Sequence, residues 1–251
     1  PGYPVDTGHR QIEQDEVEDQ RWTLPHCLDV GEKRLLARWI DRLGRRGKYF
    51  VADLDDGASL VMHLRMTGNL LLIPGDEQPQ VKHVRGRLWL AGSDSRAAGS
   101  LVFNDPRRFG TAEILETPEA LESFLASRPG PEPFSDTFDG EYLRAQTKGR
   151  KTPIKAVLLD QRVVAGVGNI YADEALFRAE IAPTRRAARI TRGEADRLAG
   201  TVRDALSAGI DAKGATIDDF RDAYGAQGSF QDQFLVHRRE GLPCPTCETT
   251  V

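Results

Sequence analysis

From Gly47 to about Leu115, apolar and polar residues alternate in short runs broken by Gly, Asp and Asn. "KYFVADLDDGASLVMHLRMTGNLLLI" reads as two alternating runs around an Asp-Asp-Gly turn, with a third run after Thr67-Gly68. "HVRGRLWLAG" and "SLVFNDPRRFGTAEIL" continue the rhythm. Strands joined by short turns, with no helical period between them, predict an antiparallel sandwich or barrel. The preceding "GEKRLLARWIDRL" reads as a short helix.

The period changes after "SRPGPEPFSD" (127–136), whose prolines and glycines oppose both helix and sheet. "PIKAVLLDQ" opens with a proline suited to a first helical turn. "NIYADEALFRAEI" puts Ile170, Ala175, Leu176 and Ala179 on one stripe. Thr191 and Glu194 are spaced as a capping box, ahead of an amphipathic face of Leu198, Val202, Ala205 and Leu206. Residues 214–228 read as a Gly-rich loop, and "SFQDQFLVH" as a short strand. The expected organisation is a β domain over 1–126, a hinge linker over 127–140, a helical domain over 141–228 and a cysteine-bearing segment over 229–251.

Composition narrows the class. No apolar run reaches the ~18 residues a membrane span needs, and three cysteines in 251 residues do not make a disulfide framework, so a cytoplasmic protein is expected. The formal net charge is −4, which argues mildly against a polyanion partner, but the layout is uneven. Residues 144–155, "RAQTKGRKTPIK", hold five cations and no acid, and "RLGRRGKY" and "PTRRAARITR" are also basic. Local basic patches, more than net charge, set phosphate affinity.

Four stretches carry candidate chemistry. "VAGVGNIYADEALF" places two glycines before Asn169 at a helix start, where backbone N–H groups and the helix dipole favour an anion. Taken by themselves these residues favour a plain turn between helices, with glycine at the end of the previous one. "NDPRRFG" sets Arg107, Arg108 and Phe109 on a turn between strands. The ring either wedges between bases or folds into the core. Met66 in "HLRMTG" is either core filler or an exposed turn residue, and Lys48 in "RRGKY" is either a solvated cation or an amine of depressed pKa. Cys244 and Cys247 in "CPTC" supply two of the four donors of a structural zinc. Within the chain His237 and Cys27 are the nearest further candidates.

In this order "RRGKY", "HLRMTG", "NDPRRFG", "GPEPFS", "PIKAVLLDQRVVAGVGNIYADEALFRA" and "REGLPCPTC" resemble the formamidopyrimidine-DNA glycosylase / endonuclease VIII family of base-excision repair enzymes. The resemblance covers residues 44–247 and is closest to the formamidopyrimidine branch. It implies an α+β protein: an N-terminal antiparallel β-sandwich, then a helix–two-turn–helix domain closed by a zinc finger, with double-stranded DNA carrying oxidised bases or abasic sites between them. A monomer working in a bacterial-type cytoplasm at the nucleoid is expected.

Carried over residue by residue, the resemblance makes Pro1 the amine that forms a Schiff base at the sugar, and Lys48 the lysine of the elimination step. Met66, Arg107 and Phe109 match the side chains that fill the gap left by a flipped nucleotide. Asn169 and Lys155 match phosphate-gripping residues, and His83, Arg108 and Arg150 match backbone contacts. Residues 213–229 stand where a loop closes over the extruded base. Cys244 and Cys247 match half of a zinc site whose other cysteine pair is absent here. The family begins Pro-Glu, whereas Gly2 stands after Pro1 in this sequence. Two readings therefore compete: a glycosylase and abasic-site lyase for oxidised purines, or a catalytically impaired paralogue that binds damaged DNA or abasic sites.

Overall fold

The computed structural model describes residues 38–75, 77–91, 97–217 and 220–251, together with the backbone of three short strands before residue 38. Those are β1 (Trp22–Thr23), β2 (Asp29–Val30) and β3 (Lys33–Arg34). Pro1, Gly2 and Cys27 lie outside the described residues.

β4 (Trp39–Arg46), β5 (Tyr49–Leu54) and β6 (Ser59–His63) form a meander, followed by β7 (Asn69–Pro74), β8 (Val84–Ala91), β9 (Ala97–Asn104) and β10 (Thr111–Leu115). The order across the sheet is β10-β6-β5-β4-β1-β8-β9-β7, antiparallel at each recorded pairing. The sheet doubles over. Ala52, Leu60 and Met62 of one half share an apolar cluster with Leu88 and Phe103 of the other. That is the packing of a sandwich, and it follows from alternation that gives each strand one apolar face.

At "GEKRLLARWIDRL", where a short helix is expected, the described residues instead include strands: Lys33–Arg34 in β3 and Trp39 onward in β4. Pairing along β5 overrides the local helical pattern, with Arg42 opposite Asp53 and their side chains bonded at 2.8 Å. Helix propensity is a weak prior against a neighbouring sheet edge.

α1 (Pro118–Ala126) packs beside β10, and α2 (Gly140–Thr147), α3 (Ile154–Leu159), α4 (Asn169–Arg178) and α5 (Arg192–Asp211) build the second lobe. Phe138, Leu143, Leu158, Leu176, Leu198 and Val202 meet in its core. The stripe predicted for α4 holds for Ala175, Leu176 and Ala179, which are in that core, but Ile170 leaves it and packs against a second cluster around Phe230 and Phe234. The capping box forms in full, with Thr191 accepting from the Glu194 N–H and Glu194 accepting from the Thr191 N–H. "SFQDQFLVH" is not a strand. Its Phe230–Gln233 stretch is a 3-10 turn, because Phe230 and Phe234, four residues apart, both turn into the same cluster. Phe230 also stacks on Tyr171.

The segment between the lobes has no regular structure but is firmly held. Arg203 donates to the carbonyls of Pro133 (2.8 Å) and Phe138, and Gly130 N–H donates to Gln161 O at 2.7 Å. Among the described residues no helix is long and apolar enough to cross a membrane.

Candidate functional site

The cleft between the lobes holds a cavity of about 480 Å³, lined by Lys48, His63, Met66, Thr67, Ile170 and Tyr171 among others. Both lobes contribute, so the order of the chain alone does not show it.

Lys48 stands at the β4–β5 turn, where Gly47 adopts a φ of +58° that favours glycine. Its Nζ crosses the cleft and donates to Val167 O at 2.9 Å. Burial holds its amine below the ordinary lysine value. Beside it, burial first, then the charges of Arg65 and Lys48, push the His63 pKa down to about 4. His63 Nδ1 accepts from Arg65 N–H at 2.9 Å. At neutral pH the imidazole is therefore uncharged and adds no repulsion to Lys48.

Met66, His83, Arg107, Arg108 and Phe109 come from three separate turns that meet at one end of the β lobe. What joins them is Asp105, which is buried. Its carboxylate accepts from Thr67 Oγ1 (2.6 Å), next to Met66, and from Gly110 N–H (2.7 Å). Burial opposes its charge. The Thr67 hydroxyl and the N–H groups of Gly110, Arg107 and Phe109 outweigh that and hold the carboxyl below the usual carboxylate range. Asp105 N–H also donates to His83 O at 3.0 Å. On this support Met66 is 77% and Phe109 60% exposed, so neither folds into the core. The Arg107 guanidinium lies 5.7 Å from the Phe109 ring centroid, within cation–π range. Arg108 has a φ of +62°, a strained conformation for a non-glycine residue at the tip of the turn.

On the helical lobe Gly168 is the N-cap of α4, with no side-chain cap, and Asn169 is its exposed first residue. The N–H groups of that first turn keep their anion-binding capacity. The glycine turn is therefore a helix start and not simply the end of a preceding helix. Arg150 lies 3.6 Å from Asp160, which Arg162 also holds. Lys155 Nζ bonds Asp173 at 2.6 Å, and Asp173 in turn meets His237 Nδ1 at 3.1 Å.

Two acidic residues outside the candidate set prove structural. Glu174 is fully buried, and its carboxylate accepts from the N–H groups of Leu235, Val236 and His237, pinning the C-terminal segment to α4. A carboxylate beside the apolar stripe of α4 was the available signal. Asp105 was visible only as the Asp of an Asp-Pro turn.

Cys244 is buried and Cys247 exposed. The Cys247 Sγ lies 2.9 Å from Thr249 Oγ1, and the Thr249 hydroxyl, its backbone N–H and the Cys244 thiol hold Cys247 below the ordinary thiol value. Among the described residues no group of three or more His, Cys, Asp or Glu could hold a metal ion. His237 is committed to Asp173. The two thiols on their own do not fit a closed tetrahedral zinc site.

Residues 6–112 match the family model described as "Formamidopyrimidine-DNA glycosylase N-terminal domain", and residues 130–221 match "Formamidopyrimidine-DNA glycosylase H2TH domain". The formamidopyrimidine-DNA glycosylase of Cereibacter sphaeroides is 43% identical over 238 residues, covering 93% of this chain and 83% of that protein. The one from Stenotrophomonas maltophilia is 42% identical, covering 91% and 80%. Among solved structures, MutM (Fpg) of Thermus thermophilus aligns with a TM-score of 0.76 at 42% identity, covering 86% of this chain and 77% of that one. Lactococcus lactis Fpg in complex with DNA containing an abasic site aligns with a TM-score of 0.77 at 32% identity, with the same coverage. With its β lobe, its helix–two-turn–helix lobe and a lysine bridging the cleft between them, this chain belongs to the formamidopyrimidine-DNA glycosylase family of base-excision repair proteins.

Proposed function

We propose that the chain is a DNA glycosylase with abasic-site lyase activity, releasing oxidised purines from double-stranded DNA through Pro1. The observation that carries this reading is Lys48, a buried amine of lowered pKa in the cleft, beside a rigid turn that exposes Arg107 and Phe109. The Lactococcus lactis relative has been captured with abasic-site DNA, and a mutant of it with Fapy-dG DNA, which supports the same substrate class here.

The chemistry divides among the residues as follows. The Pro1 secondary amine attacks the sugar C1′ and displaces the damaged base. Ring opening leaves an iminium at C1′, and loss of a C2′ proton then expels the 3′ phosphate by β-elimination. Lys48, neutral in larger proportion than an exposed lysine, is suited to moving a proton in that second step. Met66, Arg107 and Phe109 fill the gap in the stack when the nucleotide flips out. Asn169, at the uncapped start of α4, and Lys155 grip phosphates, while His83, Arg108 and Arg150 contact the backbone. Cys244 and Cys247 provide two of the four donors zinc requires, and no step is assigned to a metal.

Gly2 favours a second reading. Glycine has no proton to give during base release, a contribution worth ~10²–10⁴-fold where a carboxyl supplies it. The protein would then hold damaged or abasic DNA without efficient base release. Borohydride reduction after incubation with 8-oxoguanine and abasic-site duplexes separates the two. A trapped adduct on both substrates is expected. An adduct on the abasic duplex alone means lyase without glycosylase, and none on either overturns the enzymatic reading in favour of the second.

A further inference from the structure

The β4–β5 turn that carries Lys48 is gripped from outside its own lobe. Glu132, in the segment joining the lobes, accepts from Gly47 N–H at 2.6 Å, from Arg46 at 3.1 Å and from Arg45 at 3.0 Å. Arg46 reaches further to Gly130 O at 3.0 Å, and Arg45 closes back on Gly47 O at 2.7 Å. A single carboxylate thus collects the three residues that immediately precede Lys48. The same turn is crowded by the other lobe: a Cβ added at Gly47 would lie 3.3 Å from the Ala165 side chain.

Surface ion pairs contribute little as a rule, and Arg45 is itself well exposed. Here the backbone N–H bond makes the difference, since it fixes the Arg46–Gly47 peptide, one residue before Lys48, and not merely two long side chains. Burial works against the Glu132 charge, but the Gly47 N–H and the two guanidinium groups outweigh it and keep the carboxyl below its ordinary value. It stays an anion at neutral pH. The linker is in turn locked to the helical lobe through Gly130 N–H on Gln161 O, and the Gln161 side chain donates to Val167 O, the carbonyl that receives Lys48. Residues 130–132 thus hold the turn that carries the donor and bond the backbone of Gln161, whose side chain shares the acceptor carbonyl.

We propose that Glu132 is the positioning residue of Lys48, setting the β4–β5 turn so that the amine is held in the cleft against the Val167 carbonyl. The catalytic consequence rests on the role proposed for Lys48 above; the positioning itself does not. An amine displaced by about 1 Å loses on the order of a hundredfold in rate when its geometry matters to the reaction.

The test reads Lys48 directly. In protein carrying 13C-labelled lysine, the Lys48 side chain is followed by NMR through an alkaline titration, with Lys48→Gln assigning the resonance. In the unaltered chain it should titrate below the exposed lysines. In Glu132→Gln it should move up toward them, and Glu132→Asp should restore part of the depression. An unchanged Lys48 midpoint in folded Glu132→Gln overturns the proposal. Should Glu132→Gln fail to fold, Arg46→Gln removes one donor of the same carboxylate and is read in the same way. Strand cleavage of an abasic-site duplex supplies the second readout: Glu132→Gln should slow it at least about tenfold in the unaltered background, and hardly at all once Lys48 is Gln. Equal slowing in both backgrounds would mark Glu132 as merely structural. If the unaltered protein neither cleaves nor traps, the lyase reading fails, and the titration still decides the role of Glu132.

Discussion

In the helical lobe Leu143, Leu158, Leu176, Leu198 and Val202 are sealed in one core, whereas in the β lobe Met66 and Phe109 stand in solvent at the tips of turns. Both lobes arise from regular apolar periodicity. The difference lies at the ends of the strands, where a buried carboxylate, Asp105, holds two turns open through four hydrogen-bond donors. An exposed apolar side chain on a mobile loop would collapse onto the nearest surface, and a rigid turn prevents that. The helical lobe thus works as a platform, offering backbone N–H groups and carbonyls such as that of Val167. The β lobe holds Met66 and Phe109 outward on rigid turns.

The largest expected effect tests the platform. Leu198→Ala empties a fully buried site in the helical core and should cost ~2–5 kcal/mol of unfolding free energy, measured by urea denaturation. A loss below ~1 kcal/mol would mean that this core is looser than the packing indicates.

A smaller effect comes from the wall between the lobes. The His63 pKa is about 4 folded against 6.5 for the free side chain. Between those values the unfolded chain binds more protons, so stability falls as the pH drops through this window and levels off below about 4. A gap of about 2.5 pH units at about 1.4 kcal/mol each sets an upper limit of ~3.5 kcal/mol, reduced by whatever solvent the cleft admits to the ring. His63→Gln should flatten the pH dependence of stability between pH 6.5 and 4. An identical slope in both proteins would assign the acid sensitivity elsewhere.

The smallest effect on stability belongs to the β-lobe turns. Phe109→Ala should change unfolding free energy by no more than ~0.5 kcal/mol, since the ring makes no core contact. On lesion-containing duplex the same substitution should lose ~1–3 kcal/mol of binding, the scale of one base–aromatic stack, with a smaller loss on intact duplex. Equal losses on the two duplexes would remove the wedge role and leave Phe109 a general surface contact.

Much of this was legible from residue order. The strand rhythm after Gly47, the capping box at Thr191 and Glu194, the stripes of α4 and α5, and the collinear motifs lead to the right fold and family, because each depends on neighbours a few residues apart. Sequence reading erred where a distant partner decides. "GEKRLLARWIDRL" has a helical look, but β5 lies alongside its second half and draws Trp39–Leu43 into the sheet. "SFQDQF" alternates like a strand, but Tyr171 and the Phe230 cluster wind it into a turn.

The sequence by itself determined which residues are available: the glycine turn, the exposed cations, Phe109 and a lysine after Gly47. Only the tertiary structure decided that Phe109 faces outward, that Asp105 joins three turns, and that Glu132 reaches across 85 positions to the Gly47 N–H. A carboxylate becomes a clamp or a solvated charge according to the donors brought to it. Those donors arrive from elsewhere in the chain, so local pattern carries no trace of them.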